Sequence, residues 1–288
     1  IDEIITPPYL LALVEQGLAS SPELEGMVTV YGTKYFLDGT PIERGAALLA
    51  PYSDVVAGDS RPPAGRADFD GPAIREMLVR ARASGDPLHL HIAGDLQLRA
   101  VLTAMEELRP KNRATPAGDW PDQRVVIEHG DGIAPADIAR IRDLGIVVVQ
   151  NPSHFTTPEL LRARLGAERL AYWMPMRSLV AADIPFALGS DGPLKPYLNI
   201  KLAVEHATNP REALTREQAL VAYTQGAAYD EHTESFKGKL VPGMAADLAV
   251  LSQDIFTVAA DALPATRSVL TIVAGRVVHD RLGPARSE

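Results

Sequence analysis

The feature that most constrains this chain is an alternation of short apolar runs with helix-patterned stretches. Leu88–Ile92, residues 124–128, Ile146–Gln150 and residues 186–190 are short runs built mainly on apolar side chains, the first interrupted by His89 and His91 and the second bounded by Arg124 and Glu128. After the first run, Leu98, Val101, Leu102, Met105 and Leu108 recur at helical spacing, with Asp95 or a neighbour as N-cap. After the second, Pro135 opens a helix with Ile138, Ile141 and Leu144 on its apolar side, and Gly145 ends it. The third is followed by a short helix behind Thr157-Pro158-Glu159 that stops at Gly166. The fourth is followed by helical patterns over 198–208 and 215–228. Strands apolar throughout, rather than alternating, are covered on both faces, and helices between them make the sheet parallel.

The strand ends carry the chemistry. In Asp86-Pro-Leu-His-Leu-His-Ile-Ala-Gly-Asp95 an extended backbone puts His89 and His91 on one face and Leu88 and Leu90 on the other. Val125-Val-Ile-Glu-His129 ends in histidine and Phe186-Ala-Leu-Gly-Ser-Asp191 in aspartate. Three strands delivering His, His and Asp at their C-terminal ends suggest a metal or proton-transfer cluster at the mouth of a barrel. The competing reading is core histidines satisfied by hydrogen bonds and, for Asp191, a turn aspartate in Ser-Asp-Gly.

The remaining segments set the boundaries. Tyr9–Gly17 reads as a helix behind Pro7-Pro8, and Met27–Phe36 as a strand that turns out at Asp38-Gly39. Residues 40–70 hold no periodic element, which is the pattern of a lid or binding loop. Residues 74–83 make a helix. After Phe236 the texture changes to strands with Pro-Gly and Ala-Gly turns, Gly238–Leu251 and Val269–Val278, which predict a small antiparallel appendage. The division expected is therefore a barrel unit over 1–236 and strands of a small sandwich over 237–288. A net charge of −9 argues against nucleic acid or an anionic membrane as partner, and no run of 18 apolar residues occurs. The chain has no cysteine, so disulfides and Cys-ligated zinc are excluded. Ile1-Asp-Glu-Ile-Ile-Thr-Pro-Pro lacks the basic start and apolar core of a signal peptide, and a cytoplasmic location is the expectation.

Five motifs occur in order: Lys34-Tyr-Phe-Leu-Asp-Gly39, His91-Ile-Ala-Gly-Asp95, Ile127-Glu-His129, Gln150-Asn-Pro-Ser-His154 and Gly189-Ser-Asp-Gly-Pro193. The tail Gly238-Lys-Leu-Val-Pro-Gly-Met-Ala-Ala-Asp-Leu-Ala-Val-Leu251 follows them. Together they resemble the amidohydrolase superfamily, in particular amidohydrolase family 3, the branch of N-substituted formamide deformylase and the YtcJ-like proteins. The resemblance covers nearly the whole chain. It implies a (β/α)8 TIM-like barrel with a divalent metal centre at the strand ends, where barrel active sites sit. On it, Lys34 would end strand 4, His91 strand 5, His129 strand 6 and Asp191 strand 8. The family's strand-1 His-x-His pair has no counterpart before Lys34, so the chain reads as strands 4–8 of an incomplete barrel.

The resemblance implies a metal set of Lys34, His91, His129 and Asp191, holding one or two ions. Nitrogen and oxygen donors suit zinc. An ammonium has no lone pair to give, so Lys34 would ligate only as a carbamate; the other reading pairs it with a nearby carboxylate. Asp191 would be both ligand and proton carrier. His154, Trp173 and Asp38 are the substrate-binding candidates, His154 being equally readable as a solvent-exposed loop histidine. His89 reads as a lumen-filling neighbour, Asp95 as a cap, and His206, His232 and His279 as surface or packing residues. The implied reaction is hydrolysis of an amide or similar non-peptide C–N bond of a small molecule by metal-activated hydroxide. A deaminase or esterase on the same barrel, or a non-catalytic remnant lacking the His-x-His ligands, are the alternatives. Besides a small-molecule substrate, the expected partners are a second copy in a homodimer and a separate N-terminal segment completing the barrel.

Overall fold

A computed structural model describes residues 32–109 and 119–283. The helix expected at Tyr9–Gly17 and the first part of the strand expected from Met27 lie outside the described residues. Five strands, β1 (Thr33–Phe36), β2 (Leu88–Ile92), β3 (Val126–His129), β4 (Val147–Gln150) and β5 (Phe186–Leu188), form one parallel sheet in sequence order. The register sets Lys34 beside His89, Phe36 beside His91 and His91 beside Glu128. One face of the sheet therefore carries Lys34, His89, His91 and Glu128. The other face buries Leu88, Leu90, Ile92, Ile127 and Val148 at no more than 2% exposure.

Helices cover that apolar face. α1 (Gly71–Ser84) starts three residues before its apolar periodicity, because Asp70 caps it by accepting from the Ala73 N–H and Pro72 suits the first turn. α2 (Asp95–Leu108) has Gly94 as its N-cap, and Leu98, Val101, Leu102 and Met105 are buried. Asp95 opens that helix but uses its carboxylate elsewhere, accepting from the Leu49 N–H at 2.8 Å. A single turn, α3 (Trp120–Gln123), buries Trp120, whose Nε1 donates to the Met105 carbonyl. α4 (Pro135–Asp143) follows β3. α5 (Pro158–Leu170) follows β4 and breaks at Gly166, where φ is 72°. α6 (Met176–Ala181) has too few periodic positions to be visible in the sequence. α7 (Pro196–Glu205) and α8 (Arg216–Val221) follow β5, and α8 runs through a π-turn at Ala222–Gly226 into α9 (Ala227–Asp230).

The tail forms a three-stranded antiparallel sheet, β6 (Leu248–Leu251), β7 (Ser268–Val273) and β8 (Arg276–Asp280). The turn Ala260–Ala265 before β7 packs on α7, with Leu263 buried and Lys201 2.8 Å from Asp261. No helix among the described residues is long and apolar enough to cross a membrane.

The aperiodic segment 40–70 is fastened along its length. Arg44, 7% exposed, pairs with Asp54 and Asp59, Asp54 also meets Arg164, and Arg169 donates to the Ala50 carbonyl. Asp38 anchors its start. Its Oδ2 accepts from the Ala47 and Gly94 N–H groups at 3.0 and 2.8 Å, and its Oδ1 from Ala93 at 2.9 Å. With 2% exposure and both oxygens engaged, Asp38 stitches this loop to the end of β2. Asp38→Asn exchanges one acceptor oxygen for a donor and strands at least one buried N–H. The expected cost is about 1–3 kcal/mol, read as a lower denaturant midpoint at unchanged slope. An unchanged midpoint would show that the three bonds do not hold the loop.

Candidate active site

The polar residues gather where the parallel strands end. His91, 7% exposed, is the fourth residue of β2, and His129, 1% exposed, is the last of β3. His129 has φ 76° and Gly130 φ 56°, so the chain turns sharply at the strand end. This left-handed turn matters because simple alternation would put neighbours Glu128 and His129 on opposite faces. His129 Nε2 nevertheless lies 2.8 Å from His91 Nδ1. One of the two facing nitrogens must carry the proton of that bond.

His154 lies in the turn Pro152–Thr156 after β4, and Asp191, φ 46°, lies after β5. His154 Nδ1 is 2.8 Å from Oδ2 of Asp131, which is fully buried. That carboxylate fixes the proton on Nδ1 and turns Nε2 towards Asp191, 3.7 Å from its Oδ2, an ion-pair distance longer than a hydrogen bond. The His154 ring also stacks on His129, with centroids 5.0 Å apart. Donor atoms of His129, His154 and Asp191 all lie within 4.8 Å of one another. Behind them the Asn151 side-chain nitrogen is 3.2 Å from His129 Nδ1.

Electrostatics separates the histidines. Burial pushes His91 down, and pushes His129 down to about 4, so both are neutral imidazoles with lone pairs near neutral pH. Burial also opposes charge on His154, but Asp131 and Asp191 outweigh it and raise His154 to about 10. His154 pulls Asp191 below the usual carboxylate range. Lower on the sheet face, Lys34 Nζ is 2.5 Å from Glu128 Oε2 and His89 Nδ1 is 3.0 Å from Oε1. Burial raises Glu128, but those two partners overcome it and bring it to about 2.

His91, His129 and Asp191 come to one end of the sheet, and His154 joins them instead of standing in solvent. Lys34 is on the same face but is engaged with Glu128. Trp173 is fully buried among core residues. His206 is a packing residue at zero exposure, its Nε2 2.9 Å from the Met174 carbonyl. Asp131, Asn151 and Glu128 were not singled out from sequence. Of these, only Glu128 left a trace, as a lone charge inside an apolar run.

The donor set fits a divalent cation. Two neutral imidazole nitrogens point at each other, the Asp191 carboxylate lies in the same cluster, and buried His91 Nε2 has no hydrogen-bond partner among the described residues. Nitrogen and oxygen donors of this kind suit zinc or a neighbouring first-row ion.

Residues 12–279 match the profile of the amidohydrolase family. The chain belongs to that family. It is 28% identical over 274 residues to YtcJ of Bacillus subtilis, covering 90% of this chain and 49% of YtcJ. It is 28% identical over 249 residues to an N-substituted formamide deformylase of Arthrobacter pascens, covering 82% of this chain and 44% of that enzyme. Among solved structures, an uncharacterized metal-dependent hydrolase from Pyrococcus furiosus superposes with a TM-score of 0.64 at 25% identity, covering 77% of this chain and 46% of the other. This amidohydrolase-family chain thus spans about half the length of the relatives it matches.

Proposed function

We propose that the site hydrolyses an amide or similar non-peptide C–N bond of a small molecule. In this reading β1–β5 are strands 4–8 of a (β/α)8 barrel, and residues 237–288 contribute to a small sandwich beside it. The observation that carries the proposal is the meeting of His91, His129, His154 and Asp191 at the C-terminal ends of consecutive parallel strands. His91, His129 and Asp191 would hold a divalent ion, zinc being the best match to the donors. Lys34 would join them as a carbamate once its nitrogen leaves Glu128, gives up its protons to solvent and adds CO2. When bound, the ion would acidify a water and polarise a carbonyl.

The residues divide the remaining work. Asp191, held ionised by His154, takes a proton from the attacking water. The C–N bond then breaks as that proton passes to the leaving nitrogen, giving one carboxylic acid and one amine. His154, fixed by Asp131, is a donor placed to hydrogen-bond the substrate carbonyl. His91 and His129 stay neutral because burial disfavours their charged forms. The full-length protein should be tested on N-acyl amines, carboxylic esters and aminated heterocycles. Turnover of N-acyl amines with release of the free amine is expected. Turnover confined to esters or to ring deamination would replace the amide assignment by one of those reactions.

A further inference from the structure

Asp191 is the most exposed of the proposed ligands and stands on a turn of unfavourable backbone geometry. Its side chain is 53% exposed and its φ of 46° is one that few L-residues adopt. Something must hold the preceding peptide if the carboxylate is to keep its place. The structure supplies a directed chain of hydrogen bonds on Gly189 and Ser190. Asn199, fully buried on α7, donates from Nδ2 to Ser190 Oγ at 3.3 Å. Ser190 Oγ and the Tyr223 hydroxyl are 3.1 Å apart, and that hydroxyl donates to the Gly189 carbonyl at 3.1 Å. Each hydroxyl can thus accept once and donate once along the chain. From the other side, Ser153 Oγ donates to the Ser190 carbonyl at 2.7 Å, and Gly189 N–H donates to the Gln150 carbonyl at 3.0 Å.

Tyr223 reaches this turn because of the π-turn at Ala222–Gly226. A π-turn adds one residue to a helix, and such insertions recur at functional sites. Gly226 closes it against β5, so tightly that a Cβ there would fall 2.2 Å from the Phe186 carbonyl oxygen. The helix can therefore lie on the strand just before the strand's end and still present Tyr223 to the loop beyond it.

We infer that Tyr223, Ser190 and Asn199 are positioning residues that fix Asp191 for metal binding and proton transfer, acting through the Ser190 peptide. The inference rests on the reading of Asp191 given above. A misplacement of about 1 Å can cost on the order of 10²-fold in rate, so losing one hydroxyl should lower kcat by roughly 10- to 100-fold with KM within about twofold. Zinc affinity, measured by chelator competition on the full-length protein, should fall by roughly 10-fold, the lower end of the effect of outer-shell partners.

Tyr223→Phe and Ser190→Ala each delete one oxygen, and Ser190→Thr restores the hydroxyl. Circular dichroism should establish that each variant is folded. The inference predicts losses of kcat and zinc affinity in Tyr223→Phe and Ser190→Ala, with substantial recovery in Ser190→Thr. Unchanged kcat and zinc affinity in both hydroxyl deletions would overturn it. So would a Ser190→Thr variant as impaired as Ser190→Ala, since packing rather than the hydroxyl would then be responsible. Asp191→Asn run in parallel separates the failures. If that variant alone loses kcat, the clamp is wrong and the site stands; if it keeps kcat, the reading of the site falls and the clamp with it.

Discussion

Asp191→Asn is expected to lower kcat by about 10²- to 10⁴-fold, the usual worth of general acid–base transfer, while KM moves little. The substitution is mild in every other respect. Asparagine tolerates the left-handed backbone at this position, keeps the size, and retains one acceptor oxygen. It cannot take a proton near neutral pH. The pH dependence follows from the same pair of groups. His154 pulls Asp191 below the ordinary carboxylate range, so the base is ionised throughout the neutral range and is lost only as pH falls through its lowered pKa. The acidic limb of the wild-type profile should lie correspondingly low and should vanish in the variant, with the apparent value belonging to the coupled unit. If Asp191→Asn kept its metal and lost less than about tenfold in kcat, with chemistry shown to limit the rate, another group would have to carry the proton.

The second large effect concerns His129. Its Nε2 faces His91 and its side chain lies in the same cluster as His154 and Asp191, so it is the most central of the donors. His129→Asn suits φ 76° better than alanine would, which keeps a backbone effect from imitating a ligand effect. Even loss of an outer hydrogen-bonding partner typically costs about 10- to 100-fold in metal affinity, so loss of this donor should exceed that range. Activity should fall in parallel, while the metal-free protein should lose about 1–3 kcal/mol of stability, because the buried bonds to His91 and Asn151 go with the ring. A variant that bound zinc as tightly as the wild type would remove His129 from the ligand set.

How far the sequence could be read depended on range. The apolar run at β4 declares itself because burial on both faces leaves no room for alternation, and β2 by leucines alternating with histidines before Ile92. His91 was visible for the same reason, as an imidazole that breaks such a run near its end. His129 was visible as a strand-end residue, but not the left-handed turn that brings its ring to His91. Contacts across long sequence separations left little or no trace. Asp131 meets His154 23 residues away, Lys34 meets Glu128 94 residues away, and the buried Arg44–Asp54–Arg164 tie is made between loop and helix. The burial of Trp173 was not legible, because an aromatic near a Pro-containing loop looks the same in sequence whether it lines a pocket or fills the core. Asp38 looked like a turn residue, and only the three N–H groups converging on it reveal a clamp.

The central claim is that these side chains hold a metal on which hydrolysis depends. Elemental analysis of the full-length protein, purified without chelator and assayed on the same preparation, tests it most directly. Roughly one to two divalent ions per chain are expected, with activity that falls on chelation in proportion to the metal removed and recovers on adding zinc. Full activity in a preparation free of bound metal would contradict it.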